Sequence, residues 1–251
     1  MEPGTISVLI DHNVATISFY HPLSNSMPKN LLIQLANTFY ELDKNQNVRV
    51  IVLKSEKEAV FCSGASFNEL LLIKNEEEGM EFFSGFAKVI NAMRTSSKLI
   101  IGRAQGKAVG GGVGLLAATD YCLATEQAAI KLSEFTIGIG PFVIEPVVER
   151  KIGIAAISEL TINATQWHTA YWAREKGLFA RVFTSTEDLD KEIEILSLKL
   201  ATYNPEATSN MKKILWKGTE HWDQLLLERA AISGKLVLSD FTKQALIKFK
   251  K

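Results

Sequence analysis

The feature that most constrains the fold of this chain is a cluster of glycines, Gly110 to Gly112 and Gly114. They stand between an apolar run typical of a strand, Leu99–Ala104, and one typical of a helix, Leu115–Ala118. Glycine weakens regular structure and is kept where a backbone bends sharply or approaches another group closely. The pattern therefore predicts a turn that opens a helix, with free N–H groups suited to an anion or a developing oxyanion.

The spacing of this glycine run excludes two nucleotide-binding motifs. It does not fit the G-x-G-x-x-G pattern of dinucleotide-binding folds. Gly106-Lys107-Ala108 is not a P-loop, because no Ser or Thr follows the lysine and the preceding glycine is at the wrong distance. A close packing turn without any ligand is the alternative interpretation.

The composition is typical of a globular protein and gives no reason to expect a polyanionic partner. Hydrophobic residues make up 47% of the 251 residues, charged residues 22%, and the formal net charge is +0, so we expect no nucleic-acid partner. No apolar run reaches the roughly 18 residues that span a bilayer, and we expect no signal peptide and no membrane partner. Cys62 and Cys122 lie in apolar segments and are expected to be reduced, which fits a cytoplasmic protein.

The order of apolar patterns predicts an α/β core followed by helices. Ile6–Ile10 and Val14–Phe19 are predicted to form a hairpin, and a helix is predicted to begin at Pro28. Further strands are predicted at 48–53, 99–104, 121–124, 129–132 and 180–183, with a helix over 77–93. Helical spacing at Leu189–Leu200 and Trp222–Arg229 predicts a helical end, and we divide the chain into a core, 1–190, and a C-terminal region, 191–251.

Two further segments carry candidate chemistry. The run Phe61–Phe67 places a turn of small residues at a strand end, where the backbone N–H of Ala65 could be presented to a ligand. Glu134 lies between apolar residues and the turn Gly140-Pro141. Burial there would raise the pKa of its carboxyl group and make it a useful general base. An exposed turn residue is the alternative for Glu134.

Taken together, these motifs resemble the crotonase family, the enoyl-CoA hydratase/isomerase superfamily. The resemblance rests on the turn Cys62–Ser66, the glycine run with Thr119-Asp120-Tyr121 after it, and Glu134. Its first loop is similar to His21–Met27, and a later family segment is similar to Ala173–Phe179. The resemblance covers nearly the whole chain.

This resemblance implies a fold, a substrate class and a set of site residues. The fold would be α/β, a crotonase-like ββα spiral core with a C-terminal helical trimerisation region, assembled as a homotrimer or a dimer of trimers. The substrate would be an acyl-CoA thioester, with no metal and no cofactor beyond its CoA. Ala65 and Gly111 would supply the oxyanion-hole N–H groups, and Glu134 would be the catalytic acid and base. The implied substrate contacts are Ser63, Gly64, Ser66, Phe67, Gly110, Gly114, Pro141 and Phe142.

The residue at the position of Gly114 distinguishes the hydratases of this family from other members. Family hydratases have a first glutamate at that position and a second at the position of Glu134, and two carboxylates divide the work of adding water. A single carboxylate suffices to move a proton from C2 to C4 of an enoyl thioester. Gly114 is expected to leave room in the pocket, and we predict an enoyl-CoA isomerase. The alternatives are a hydratase, a crotonase-fold decarboxylase or hydrolase, and a degenerate acyl-CoA-binding subunit.

Other residues receive structural interpretations. Ser66, where the family often has Asp, is expected to affect loop anchoring, and Glu69 is expected to be a solvated helix residue and not a replacement acid. Trp167, His168 and Trp172 are expected to be packing residues. The basic tail of Lys248, Lys250 and Lys251 is expected to be frayed, although contact with CoA phosphates is an alternative. Pocket shape is expected to depend on Asn68–Ile73, the helix from Glu77, and Phe142.

Overall fold

The computed structural model of the protein describes residues 4–57 and 59–249. The strands are β1 (Thr5–Asp11), β2 (Val14–Tyr20), β3 (Val50–Ser55), β4 (Val60–Cys62), β5 (Leu99–Ala104), β6 (Lys107–Val109), β7 (Tyr121–Thr125), β8 (Ala129–Lys131), β9 (His168–Thr169) and β10 (Arg181–Phe183). The helices are α1 (Lys29–Lys44), α2 (Phe67–Leu70), α3 (Glu76–Thr95), α4 (Gly111–Ala117), α5 (Glu145–Ile162), α6 (Ala170–Glu175), α7 (Thr186–Ala201), α8 (Pro205–Leu215), α9 (Trp222–Leu236) and α10 (Asp240–Phe249). A single 3-10 turn, Glu134–Ile137, precedes α5.

The strands form two sheets. The larger has the order β1-β2-β3-β5-β7-β10, in which β1 and β2 are antiparallel and the remaining neighbours are parallel. The smaller has the order β4-β6-β8-β9, with only the β8–β9 pair antiparallel. Since β4, β6 and β8 each follow a strand of the large sheet in the chain, the backbone repeatedly passes from one sheet to the other.

Both faces of the large sheet are buried along its central strands β2, β3 and β5, whereas the edge strand β1 is largely exposed, and the alternation of side chains along a strand explains how two faces are covered. Ile51 and Leu53 of β3 point into the main core, which also contains the apolar faces of α1, α3, α4 and α5. Val50 and Val52 point to the opposite face, where they pack with Leu189 of α7. The predicted hairpin, the helix after Pro28, and the strands β3, β5, β7, β8 and β10 are confirmed.

The C-terminal helices are fixed to the core of the same chain. Residue 190 lies inside α7, so the boundary placed at 190/191 falls within a helix that packs on the large sheet. Lys212 of α8 is buried and pairs with Asp120 (Nζ to Oδ2, 3.0 Å), which also accepts a hydrogen bond from Nε1 of Trp216 at 2.7 Å. Helix α9 crosses α3 closely, since a Cβ on Gly79 would lie 2.6 Å from the carbonyl oxygen of Gly234. The role of this region in trimerisation stays a prediction.

Candidate active site

A cavity of about 460 Å³ lies where the loop after β4, the start of α4 and the 3-10 turn meet. It brings together most of the site residues predicted from the sequence: Ser63, Gly64, Ala65, Phe67, Gly110, Gly111, Glu134, Pro141 and Phe142. Ser66 and Gly114 are not among the residues that line it. The cavity thus joins three segments that are distant in the chain.

The loop before α2 is held so that one backbone N–H stays unused. Met27 donates its N–H to the carbonyl of Gly64 (2.8 Å), and Ser66 donates its N–H to the carbonyl of Met27 (3.2 Å). In the described part of the chain, nothing accepts a hydrogen bond from the N–H of Ala65, which lies between these two bonds. Gly64 has φ +91°, a conformation that favours glycine, and its Cβ position would lie 3.7 Å from the backbone nitrogen of Gly111.

The second backbone donor lies at the start of α4. Gly110 precedes the helix with φ +52°, and its N–H donates to the carbonyl of Lys131 at 3.0 Å. The N–H of Gly111 belongs to the first turn, where no preceding helical carbonyl is available. A methyl group on Gly111 would overlap the ring of Phe86, so the close approach of that ring requires glycine. The Gly64–Gly111 contact places the two unused N–H groups on neighbouring backbone segments.

Glu134 is the carboxylate of this cavity. A Cβ on Gly110 would lie 2.6 Å from Oε1 of Glu134, so the carboxylate packs directly on that glycine. The residue as a whole is half-buried, but Oε2 is buried and has no hydrogen-bond partner among the described residues. Burial raises the pKa of Glu134 to about 7, opposed by a hydrogen bond from its own backbone N–H. A carboxyl group with this pKa can both take and return a proton near neutral pH.

The expectation that Gly114 leaves room in the pocket is wrong. A Cβ at this position would lie 2.5 Å from Cγ2 of Ile144, which is buried and lines the cavity. The space beside the glycine is therefore filled by an aliphatic side chain that the sequence places 30 positions away. A larger residue at 114 would need Ile144 to move.

Two polar residues near the first loop have anchoring contacts. The hydroxyl of Ser66, which is buried, accepts a hydrogen bond from the N–H of Glu69 at 3.4 Å. Glu69 itself is half-buried, and its Oε2 accepts from the N–H of Lys29 at 2.8 Å, at the start of α1. Glu69 does not line the cavity. Because its carboxylate accepts this hydrogen bond, the expectation that the side chain is merely solvated is wrong.

Asn25 connects the first loop to the oxyanion loop. This side chain is buried, accepts from the N–H of His21 (3.0 Å) and donates to the carbonyls of Glu56 (2.6 Å) and Val60 (3.0 Å). The carbonyl of the preceding Ser24 accepts from the N–H of Ser63 at 3.2 Å. The network therefore holds the segment that leads to Ala65.

The cavity also contains residues that the sequence patterns did not single out. They are Leu70, Phe83, Phe86, Val109, Lys131, Ser133, Thr136, Ile137, Ile139, Val143, Ile144, Ala164, Thr165 and Ser233, and Gly140 of the predicted turn lines the cavity with them. Leu70, Phe83 and Phe86 come from segments expected to shape the pocket, Asn68–Ile73 and the helix from Glu77. No sequence pattern predicted that Ala164, Thr165 and Ser233 would line the cavity, because these residues reach it only through the packing of α5 and α9.

The remaining candidate residues lie outside the cavity. His168 is buried and packs against Trp172, with ring centroids 4.2 Å apart, as expected of packing residues. Burial lowers the pKa of His168, opposed by the charge of Glu159. Lys248 is exposed on α10, whereas Lys250 and Lys251 lie outside the described residues. Within residues 4–57 and 59–249, no group of three or more His, Cys, Asp or Glu side chains could hold a metal ion.

Comparisons with known proteins relate this chain to one family of enzymes. A sequence profile described as enoyl-CoA hydratase/isomerase matches residues 10–249. The peroxisomal Delta(3,5)-Delta(2,4)-dienoyl-CoA isomerase of Arabidopsis thaliana is 25% identical over 238 residues, 88% of this chain and 84% of the relative. The mitochondrial methylglutaconyl-CoA hydratase of Rattus norvegicus is 31% identical over 167 residues, 66% of this chain and 52% of the relative.

The fold has close counterparts among solved structures. An enoyl-CoA hydratase from Bacillus halodurans superposes with a TM-score of 0.90 at 20% identity, covering 97% of this chain and 99% of that one. This similarity confirms the predicted fold class, an α/β crotonase fold with a C-terminal helical region. Among the described residues, no helix has the length and apolar character needed to cross a bilayer.

Proposed function

The chain belongs to the enoyl-CoA hydratase/isomerase family, and from this premise we propose that it shifts a double bond within an enoyl-CoA thioester, using Glu134 as its only carboxylate. The observation that carries the proposal is the contact between Gly114 and Ile144. At the position where family hydratases have their first glutamate, this chain has no carboxylate, and an isoleucine occupies the adjacent space.

Charge on the substrate would be stabilised by the two unused backbone donors. The N–H groups of Ala65 and Gly111 would both donate to the thioester oxygen as it becomes an enolate oxygen. Removing one donor from such an oxyanion hole typically slows a reaction by about 10²–10³-fold. These two hydrogen bonds would therefore be the largest single contribution to the rate.

Glu134 would transfer the proton. Its ionised carboxylate would take a proton from C2 of a 3-enoyl thioester, and the electrons of the broken C2–H bond would move into the carbonyl to give a dienolate. The protonated carboxyl group would then return the proton to C4, leaving a double bond between C2 and C3. A pKa of about 7 supports both halves of this step, because neither protonation state of Glu134 is costly near neutral pH.

Hydration is the second candidate function. It is favoured by the relatives, since the rat protein that is 31% identical is named a hydratase. Oε2 of Glu134, which is buried and has no partner in the part of the chain that the structure describes, would then hold the attacking water. A decarboxylase, a hydrolase and a degenerate acyl-CoA-binding subunit are less well supported, because Glu134 and both backbone donors are retained. We also keep the homotrimer, or dimer of trimers, as a proposal.

The products distinguish these functions. The protein would be incubated with 3-hexenoyl-CoA and, separately, with 2-hexenoyl-CoA, and the products followed by absorbance and mass. The proposal expects migration of the double bond without a change in mass. Rapid addition of one water to 2-hexenoyl-CoA, with no migration from 3-hexenoyl-CoA, would establish hydration and refute the isomerase. Tight binding of both thioesters without turnover would indicate the binding subunit.

A further inference from the structure

A positively charged cluster lies beside the candidate active site, built around the ring of Trp167. The ammonium of Lys131 is 4.5 Å from the centre of this ring, and that of Lys107 is 5.1 Å from it. Such cation–π contacts hold the two charges close to one aromatic ring. Trp167 is 38% exposed, so the cluster is open to a ligand.

The cluster is continuous with the cavity. Lys131 lines it, as do Val109 of the paired strand and Thr165, which precedes Trp167 by two residues. Lys131 pairs with Val109 in the β6–β8 register, and its carbonyl accepts the N–H of Gly110. The backbone of Lys131 is therefore hydrogen-bonded to the residue that precedes the proposed donor Gly111, and the lysine side chain begins close to that donor. Other parts of the lining are apolar and include Phe67, Leu70 and Ile139, which belong to one hydrophobic cluster.

The two ammonium groups have no acidic partner. Among the described residues, no Asp or Glu forms a salt bridge with Lys107 or Lys131. Two like charges beside one ring repel each other, and an anion bound close to them would offset that repulsion. The site thus has the charge and the access to bind an anionic group of a molecule that occupies the cavity.

We propose that Lys131, supported by Lys107 over Trp167, binds a carboxylate on the acyl part of the thioester, so that the preferred substrates are dicarboxylic acyl-CoA esters. The inference rests on the proposed function only in taking the substrate to be an acyl-CoA thioester. A carboxylate is favoured over a CoA phosphate because Lys131 starts beside the proposed thioester position, whereas the phosphates lie at the far end of the pantetheine arm. A charged hydrogen bond of this kind contributes about tenfold or more to binding.

The test measures binding and does not depend on turnover. Isothermal titration would compare two unreactive, saturated thioesters of equal length, hexanoyl-CoA and hexanedioyl-CoA, which differ in a terminal carboxylate. We expect the wild-type protein to bind hexanedioyl-CoA at least about tenfold more tightly. K131M is expected to abolish this preference and K107M to reduce it. K44M, which removes an exposed lysine at the end of α1, is the matched control and is expected to retain it.

The outcomes separate the inference from the proposed function. Equal affinity of wild type for the two thioesters would overturn the inference, whatever the enzyme catalyses. Preference for the dicarboxylic thioester without any double-bond migration would support the inference and refute the proposed isomerase. The titrations would be repeated with the pantetheine thioesters, which lack the nucleotide and its phosphates. If K131M weakened the binding of both CoA thioesters equally and had no effect on the pantetheine thioesters, Lys131 would bind the phosphates and the inference would be overturned.

Discussion

Replacing Glu134 by Gln is predicted to make the protein more stable at alkaline pH while it removes activity. The carboxylate is buried against Gly110, and one of its oxygens has no hydrogen-bond partner within residues 4–57 and 59–249, so its ionised form is disfavoured in the folded state. Gln has nearly the same shape and does not ionise. The variant therefore keeps the packing of the site and loses only the cost of burying a charge.

The magnitude and sign follow from the raised pKa. Burial moves the pKa of Glu134 from 4.5 to about 7, and at 1.36 kcal/mol for each unit this difference corresponds to roughly 3–4 kcal/mol. Because the folded state binds the proton more tightly, wild-type stability falls as pH rises from about 4.5 through about 7. The Gln variant lacks this loss, so its advantage grows as pH rises from about 4.5 to about 7, is fully present above pH 7, and disappears below about pH 4.5.

Urea unfolding of both proteins at pH 5.0, 6.0, 7.0 and 8.5, at one protein concentration, would measure the difference. E77Q, at an exposed position near the start of α3, provides a control with the same chemical change. We expect the advantage of E134Q to grow by about 2–3 kcal/mol across this range, relative to the control. A difference between E134Q and wild type that does not vary with pH would refute the argument that Glu134 is buried at a cost.

Three further predictions concern the site. Gly114→Glu is predicted to cost about 1–3 kcal/mol of stability in thermal or urea unfolding, because the new Cβ would lie 2.5 Å from Ile144. The same substitution should cost less when it is made in an Ile144→Gly background, and an equal cost in the two backgrounds would contradict the proposed overlap. The kcat/KM of wild type is predicted to rise with pH and level off above about 7, since the base must be ionised; a profile that is flat from pH 5 to 8 would exclude Glu134 as the base. Asn25→Ala is predicted to lower kcat about tenfold or more by loosening the segment that leads to Ala65, with a smaller effect on hexanoyl-CoA binding; an unchanged kcat would remove Asn25 from the support of the oxyanion hole.

The sequence predicted the elements whose patterns are long and regular. Val14–Phe19 and Leu99–Ala104 are buried strands of the large sheet, and Leu31, Leu35 and Phe39 lie on the buried face of α1. The small sheet was harder to predict, because β4 and β6 have three residues each and no recognisable alternation. Their positions depend on pairing between distant segments, which local patterns do not contain.

The sequence predicted those parts of the candidate site that can be recognised from local residue patterns. The turn around Ala65, Gly110, Gly111 and Glu134 could be identified from residue types and from the family resemblance, and the structure brings them to one cavity. The filling of the space beside Gly114 could not be predicted, because it depends on how Ile144 packs 30 residues later. The pairing of Lys131 with Trp167 likewise depends on the path of the chain into β9.

The central claim is that the carboxylate of Glu134 moves a proton in an enoyl thioester, and one comparison tests it directly. The initial rate at which 3-hexenoyl-CoA becomes 2-hexenoyl-CoA would be measured for wild type and E134Q at pH 8, with hexanoyl-CoA binding checked in both. The account predicts migration without a gain in mass by wild type, and a rate at least about 10²-fold lower for E134Q, which still binds the thioester. Equal rates for the two proteins, or a wild-type product that has only gained water, would contradict it.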